Sequence, residues 1–316
     1  MAPSPAIFDR TLLRGRARRA AALGPSTFLL ERVAEDFGDR LATVLRRFDL
    51  ALVLGSPDDA VRRVLAASGK VGTIIAADAL AHLPAGISGG AAAPLMVAAD
   101  EEALPFRDGS LDLVVSALAL QFVNDLPGTL VQIRRALRAD GLFIAALAGG
   151  DTLTELRQSF AAAEAEIEDG VSPRVAPFAD LRDLGTLLQR AGFALPVTDV
   201  DRLIVRYASP LALMHDLRRM GAANALVERS RRPLRRATLA RLLEIYGERF
   251  ADPDGRVRAT FDIVWLSGWA PHESQQQPLK PGSARTRLAD ALGATEISAG
   301  ERARPDDRRR RTEDGN

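Results

Sequence analysis

Cysteine is absent from the 316 residues. Disulfides, cysteine-ligated zinc and iron–sulfur clusters are therefore excluded, and the chain suits a reducing compartment such as the cytoplasm. Histidine is nearly as scarce. His82, His215 and His272 are too few and too scattered for a histidine-rich metal site. No stretch approaches the roughly 18–20 uninterrupted apolar residues of a membrane span. The opening MAPSPAIFDR lacks the apolar core of a secretory signal. Net charge is also missing: 42 Lys+Arg against 41 Asp+Glu leaves +1, so no general electrostatic drive towards nucleic acid or a membrane surface exists. Lysine is confined to Lys70 and Lys280. The dominance of arginine fits either coding bias or bidentate recognition of carboxylate or phosphate. The run from Arg10 to Arg19 has the composition of a transit peptide and also reads as part of the fold. What remains is ordinary for a globular chain, with 47% hydrophobic and 26% charged residues. Such a core holds without disulfide or metal.

Apolar spacing sets the expected elements. Residues 26–47 carry Leu29, Leu30, Val33, Phe37, Leu41, Val44 and Leu45 at helical intervals behind Ser26 or Thr27 as N-cap. Leu50 to Leu54 is a short apolar run ended by Gly55-Ser56-Pro57, a strand and turn. Pro57 then opens a helix to about Ala67. Strands follow at Val71–Ala77, Pro94–Ala99, Leu111–Ala117 and Leu142–Leu147, with a helix over Leu126–Arg138 and two more over Thr152–Glu168 and Asp180–Ala191. Continuous apolar strands alternating with amphipathic helices indicate a parallel sheet covered on both faces. The C-terminal third reads as a strand (Thr198–Tyr207), helices (Pro210–Met220, Ala237–Phe250) and a long strand (Arg256–Trp269). The expected division is a helical segment over 1–48, an α/β domain over 49–270 and a largely disordered polar tail over 271–316, with a short helix near Thr286–Leu292.

In an open α/β sheet ligands sit beyond the carboxyl ends of the strands. Three such ends carry Gly55, Asp78 and Asp100 in succession. Glycine admits close backbone approach. An acid after the second strand can accept both ribose hydroxyl protons, and one after the third can accept from an adenine amine. That is the layout of a nucleoside site, although each acid alone is an ordinary loop residue.

The stretch Asp100 to Gly141, containing Leu104-Pro105-Phe106, Asp108-Gly109-Ser110-Leu111-Asp112-Leu113-Val114 and Arg134–Gly141, resembles the class I, type 11 S-adenosylmethionine-dependent methyltransferases. The opening Ile7-Phe8-Asp9-Arg10, Ser116–Leu126 and Trp265–Pro271 are similar to one branch of that superfamily. It includes a complex I assembly factor that hydroxylates an arginine on a complex I subunit, with the malonyl-carrier-protein methyltransferases near it. The resemblance implies a Rossmann-like α/β fold, mostly parallel with helices on both faces and an antiparallel C-terminal strand. It implies S-adenosylmethionine as cofactor, with Gly55, Asp78, Asp100, Glu101 and Ser116 as its contacts. Gln121, Phe122, Asn124 and His215 are the candidate acceptor-pocket residues, and no metal ligand or catalytic base is marked. Asn124-Asp125-Leu126-Pro127 reads equally as a helix N-cap. The acceptor is a small molecule or a protein, a complex I subunit included.

The family's first motif, acidic-x-Gly-x-Gly-x-Gly, is eroded here. Val53 replaces the acid, and Pro57 and Asp59 replace the second and third glycines. Pro57 removes an amide donor. Asp58 and Asp59 repel a cofactor carboxylate unless Arg14, Arg16 or Arg18 supplies charge. Three functions therefore stand: a methyltransferase, a complex I assembly factor that modifies or chaperones a protein, and a non-catalytic interaction module on the same scaffold.

Overall fold

A computed structural model describes residues 6–55, 58–80, 95–168, 170–276 and 293. The chain divides into two units, residues 1–273 and 274–316, and the elements below belong to the first. The helix expected near 286–292 lies outside the described residues, as do Ser56, Pro57 and His82.

Seven strands form one sheet: β1 (Phe48–Leu54), β2 (Val71–Asp78), β3 (Leu95–Ala98), β4 (Leu111–Ala117), β5 (Leu137–Gly149), β6 (Ala194–Tyr207) and β7 (Val257–Trp269), in the order β3-β2-β1-β4-β5-β7-β6. Every neighbouring pair from β3 through β5 is parallel, and β7 runs antiparallel to both β5 and β6. This is the mostly parallel sheet that the sequence patterning predicts, with the antiparallel last strand that the resemblance implies. Alternation with period two splits the strand residues between two cores. Ala51, Val53, Leu113 and Val115 face one core, which includes α2 (Phe28–Thr43), α3 (Ala60–Ala67), α7 (Pro210–Arg219) and α8 (Arg236–Phe250). Leu52, Leu54 and Val114 face the other, under α4 (Leu126–Ala136) and α6 (Leu181–Arg190). Val53, only 1% exposed, is thereby a core residue.

The arginine-rich run folds as α1 (Arg10–Ala22), capped by Asp9, whose carboxylate accepts from the Leu12 amide. Ser209 caps α7 on the Ala212 amide, with Pro210 in the first turn. Asp125 caps α4 on the Gly128 amide in the same manner. Several boundaries differ from the expected ones, among them the start of β6 at Ala194 rather than Thr198. Helix α2 stops at Thr43, and α3 starts at Ala60 with Asp59 in its N-cap position. Strand β5 extends well beyond Leu142–Leu147 because β7 pairs with it from Leu142–Trp269 to Gly149–Asp262, adding ladder bonds that apolar patterning does not report. The helix after β5, α5 (Thr154–Ile167), follows a loop pinned by buried Asp262. Its carboxylate accepts from Arg202 at 2.7 and 2.8 Å and from the Asp151 amide at 3.1 Å.

Candidate functional site

The ends of β1, β2 and β3 lie side by side. The Gly55 amide donates to the Ala77 carbonyl at 2.8 Å, and the Ala99 amide donates to the Asp78 carbonyl at 3.2 Å. Gly55 holds φ +71°, where an L side chain is strained. A Cβ there would stand 2.5 Å from the Ala119 Cβ and 3.2 Å from Glu101 Oε1. The glycine thus lets the loop after β4 close on β1. Asp78 Oδ1 accepts from the Leu80 amide at 2.7 Å.

Asp100 sits in a cationic grip. Its Oδ1 accepts from Arg10 at 2.7 Å and from the Glu102 amide at 3.0 Å, and its Oδ2 pairs with Arg14. Arg10 also pairs with Glu101, a buried carboxylate, and donates to the Phe122 carbonyl at 3.1 Å. Burial alone pushes the Asp100 carboxyl up. The Glu102 amide and the two guanidiniums outweigh it and hold the pKa below the ordinary value. Asp59 is likewise neutralised, by a two-pronged pair with Arg62, which lifts the repulsion expected there.

Behind these ends lies a cavity of about 390 Å³ between the β4 and β5 termini, α1, α2 and α7. Its walls are mostly apolar, among them Leu118, Phe122, Leu153, Phe160 and Met214. Leu118 and Leu153 both adopt left-handed backbone, φ 54° and 57°. Each is held there by its own amide, which donates to Ala146 and Thr260 carbonyls respectively. Backbone strain of this kind concentrates at ligand sites. Gln121 donates through Nε2 to the Leu118 carbonyl at 2.7 Å, while its Oε1 is buried without a partner. Asp58 lines the same cavity, and burial pushes its carboxyl up against the opposing pull of the Ala60 amide. Phe8 packs edge-on against Phe122 at 5.7 Å. One wall, from Arg174 to Phe178, is anchored through buried Glu164, which accepts from the Ser172 amide and from Arg174 at 2.6 Å each. A hollow of about 530 Å³ elsewhere, beside Trp265, Trp269 and Asp199, abuts Leu142 at the start of the β5–β7 ladder, away from the strand ends just described.

A protein-family model for a methyltransferase domain matches residues 52–145, which contain Gly55, Asp78, Asp100 and Gln121. The arginine-hydroxylase NDUFAF5 of Danio rerio is 38% identical over 287 residues, covering 90% of this chain and 89% of the relative. The chain belongs to the NDUFAF5 family. The human arginine-hydroxylase NDUFAF5 is 41% identical over 287 residues, covering 90% of this chain and 83% of its own. A malonyl-[acyl-carrier protein] O-methyltransferase of Laribacter hongkongensis is 42% identical over a shorter span, 61% of this chain and 62% of that protein. Among solved structures, the YcgJ protein of Bacillus subtilis superposes with a TM-score of 0.51 at 14% identity, covering 76% of this chain and 99% of that one, a likeness of fold. The NDUFAF5-family chain is therefore S-adenosylmethionine-dependent methyltransferase-like in fold and family.

The structure of this NDUFAF5-family member brings Gly55, Glu101 and Asp100 together and sets Asp78 on the adjoining strand. Ser116 is fully buried, and its hydroxyl donates to the Leu54 carbonyl at 2.9 Å, tying β4 to β1. Gln121 and Phe122 line the cavity. Asn124 instead clamps the N-terminal strand-like segment. Its Oδ1 accepts from the Ile7 and Phe8 amides at 2.8 Å each, and its Nδ2 donates to the Phe8 carbonyl. His215 is exposed on α7, whereas Met214 and Leu217 of that helix line the cavity. Sequence reasoning did not pair Arg10 and Arg14 with Asp100. Their i, i+4 spacing, which puts both on one helix face, is the signal that was present. The positive φ at Leu118 and Leu153 has no signature in residue type. Among the described residues no group of three His, Asp or Glu side chains is placed to hold a metal, and no helix is long and apolar enough to cross a membrane.

Proposed function

We propose that this chain binds S-adenosylmethionine across the ends of β1, β2 and β3 and modifies an acceptor held in the cavity behind Leu118. The carrying observation is the convergence of acidic strand ends with a mostly apolar cavity that shares the loop after β4. The residues fit the cofactor's groups. Asp78 would accept from the ribose hydroxyls. Asp100, kept ionised by its neighbours, has lone pairs beyond its three present donors for an adenine amine. Arg14 supplies positive charge next to it. The cofactor would supply a methyl group on a good leaving group, so the protein's task is alignment and exclusion of water. Leu118, Phe122 and Leu153 form the apolar wall of that chamber. A base is required only if the acceptor must lose a proton, and Asp58 is the carboxyl in the lining.

A second reading has its own support. The relatives that match over 90% of the chain are named arginine-hydroxylases, which favours an arginine on a protein partner, with a complex I subunit as the candidate. The reading keeps the protein in the aqueous phase of the cytoplasm, while those relatives are named mitochondrial. Calorimetric titration with S-adenosylmethionine and S-adenosylhomocysteine tests the common core of both readings. Micromolar binding weakened by Asp78→Ala and Asp100→Ala is expected. Binding of neither ligand would leave the interaction module, for which the crowding of Gly55 by Glu101 and Ala119 speaks. Mass spectrometry of a candidate partner after reaction then separates the gain of a methyl group from the gain of an oxygen atom.

A further inference from the structure

Two arginine-rich stretches, the one that forms α1 and the one that begins at Arg229, meet at a short antiparallel ladder. The Asp9 amide donates to the Ala225 carbonyl at 2.8 Å and the Val227 amide to the Ile7 carbonyl at 2.9 Å, with Phe8 and Leu226 bridged between them. Neighbours along extended backbone point to opposite sides. Phe8 and Leu226 turn inward and are 5% exposed each, and Phe8 lines the cavity together with Asn224 and Ala225. Ile7 and Val227, opposite each other in the ladder, turn outward and are 44% and 41% exposed. Two aliphatic side chains are thus presented side by side on the outer face of a cavity wall.

Cations gather beside that pair. Arg229, two residues after Val227, pairs with Asp9 at 3.2 Å, and the other oxygen of Asp9 accepts from the Leu12 amide at 2.9 Å. Arg16 is pulled below its ordinary pKa by burial and then by the repulsion of Arg229 and Arg19, with Asp9 as the acid that opposes them. Arg231 is near enough to act on Asp9 as well. Asp9 is therefore spent on Arg229 and the helix cap. The side chains of Arg16, Arg19 and Arg231 form no hydrogen bond or ion pair among the described residues, and Arg16 Nη1 is buried without an acceptor. Glu228 is the other acid in this segment and is exposed. Arg16, Arg19, Arg229 and Arg231 against Asp9 and Glu228 leave a local positive surplus in a chain whose formal charge is only +1.

An exposed aliphatic centre beside arginines matches the make-up of a protein-docking surface, and the surplus selects an acidic partner. Nucleic acid is the poorer match, because non-specific strand binding relies on a longer run of charge and on stacking aromatic side chains. We propose that this face docks an acidic, amphipathic segment of a protein partner, whose apolar side chains lie on Ile7 and Val227 and whose carboxylates meet Arg16, Arg19 and Arg231. The docking requires no cofactor, so it applies to a modifying enzyme and to a chaperone alike. A partner seated there lies against the ladder whose inner side walls the cavity.

The test measures fluorescence anisotropy of the full chain with a labelled amphipathic peptide of leucine and glutamate, against its leucine–glutamine counterpart. Wild type is expected to bind the glutamate peptide at least about tenfold more tightly than the glutamine one, with an affinity that falls as salt is raised. Arg16→Gln combined with Arg231→Gln is expected to weaken the glutamate peptide by about tenfold, and Val227→Asp to weaken it as well. Arg182→Gln combined with Arg190→Gln, which removes two exposed charges from α6, is expected to change it by less than about twofold. No binding of the glutamate peptide, equal binding of the two peptides, or an equal loss in the α6 variant overturns the proposal. So does tighter binding of a single-stranded oligonucleotide or of phosphatidylserine vesicles that the Arg16 and Arg231 changes abolish, since the face would then serve another class of partner. If the Arg16 variant is found unfolded, Arg19→Gln combined with Arg231→Gln decides. A clear weakening supports the assignment, and an unaltered affinity overturns it.

Discussion

Replacing Arg10 by Met should destabilise the protein far more than a surface arginine would. The Arg10 side chain is 15% exposed and its partner Glu101 is 11% exposed, so both charges are largely out of water. The substitution strips Glu101 of its cation, Asp100 of one of two guanidiniums and the Phe122 carbonyl of a donor. Breaking a buried pair from one side costs about 3–5 kcal/mol. Asp100 keeps Arg14 and is 31% exposed, which places the expected loss near the lower bound, about 3 kcal/mol. For a unit of this size that lowers Tm by about 5 °C. Adding Glu101→Gln removes the stranded charge, and the double variant should regain about half of the loss, a coupling measurable by a double-mutant cycle. The pH profile provides a second readout. The folded-state pKa of Asp100 lies below its unfolded value, so its contribution is present above about pH 4 and is lost as pH falls through the folded pKa. Without Arg10 that pKa rises and the acid loss begins at higher pH. A Tm shift below about 2 °C would mean that the pair is worth no more than a solvent-exposed bridge, and the burial argument would be wrong.

Gly55→Ala combines a positive φ with a 2.5 Å approach to the Ala119 Cβ. A loss of about 3 kcal/mol in urea unfolding is expected. Gly109→Ala shares the positive φ but meets nothing within 4 Å, and should cost only about 1 kcal/mol. Equal losses would show that the close approach at Gly55 carries no weight. Glu164→Gln keeps the shape of a side chain that is 2% exposed while removing the charge that holds Arg174. Limited proteolysis should then cut residues 170–178 faster than in wild type, with about 2 kcal/mol of stability lost. Ser116→Ala removes the β4–β1 hydroxyl bond, with an expected cost of about 1 kcal/mol in thermal unfolding.

Much of the scaffold was legible because each element announces itself locally. The apolar run Leu111–Ala117 has the bounds of β4, and the helices expected from Leu126 and Pro210 start at those residues. The acids ending successive strands were legible for the same reason. Less readable were features that depend on distant partners. The extra length of β5 comes from its pairing with β7, more than a hundred residues on. The role of Asn124 depends on Ile7 and Phe8, whose amides reach it from the chain's opening. Asp59 looks like a repulsive charge in sequence and is a neutralised cap residue in space, because α3 starts late enough to bring Arg62 onto it.

Patterning alone determined the layering, the near-continuous apolar strands of a covered parallel sheet and the positions of Gly55, Asp78 and Asp100 at strand ends, since these follow from period and residue type. Tertiary structure decided what those residues face. It placed Arg10 and Arg14 on Asp100, packed Glu101 over Gly55 and buried Gln121 Oε1 without a partner. Charge neutralisation and burial are properties of pairs brought together by folding, and no single position in a sequence carries them.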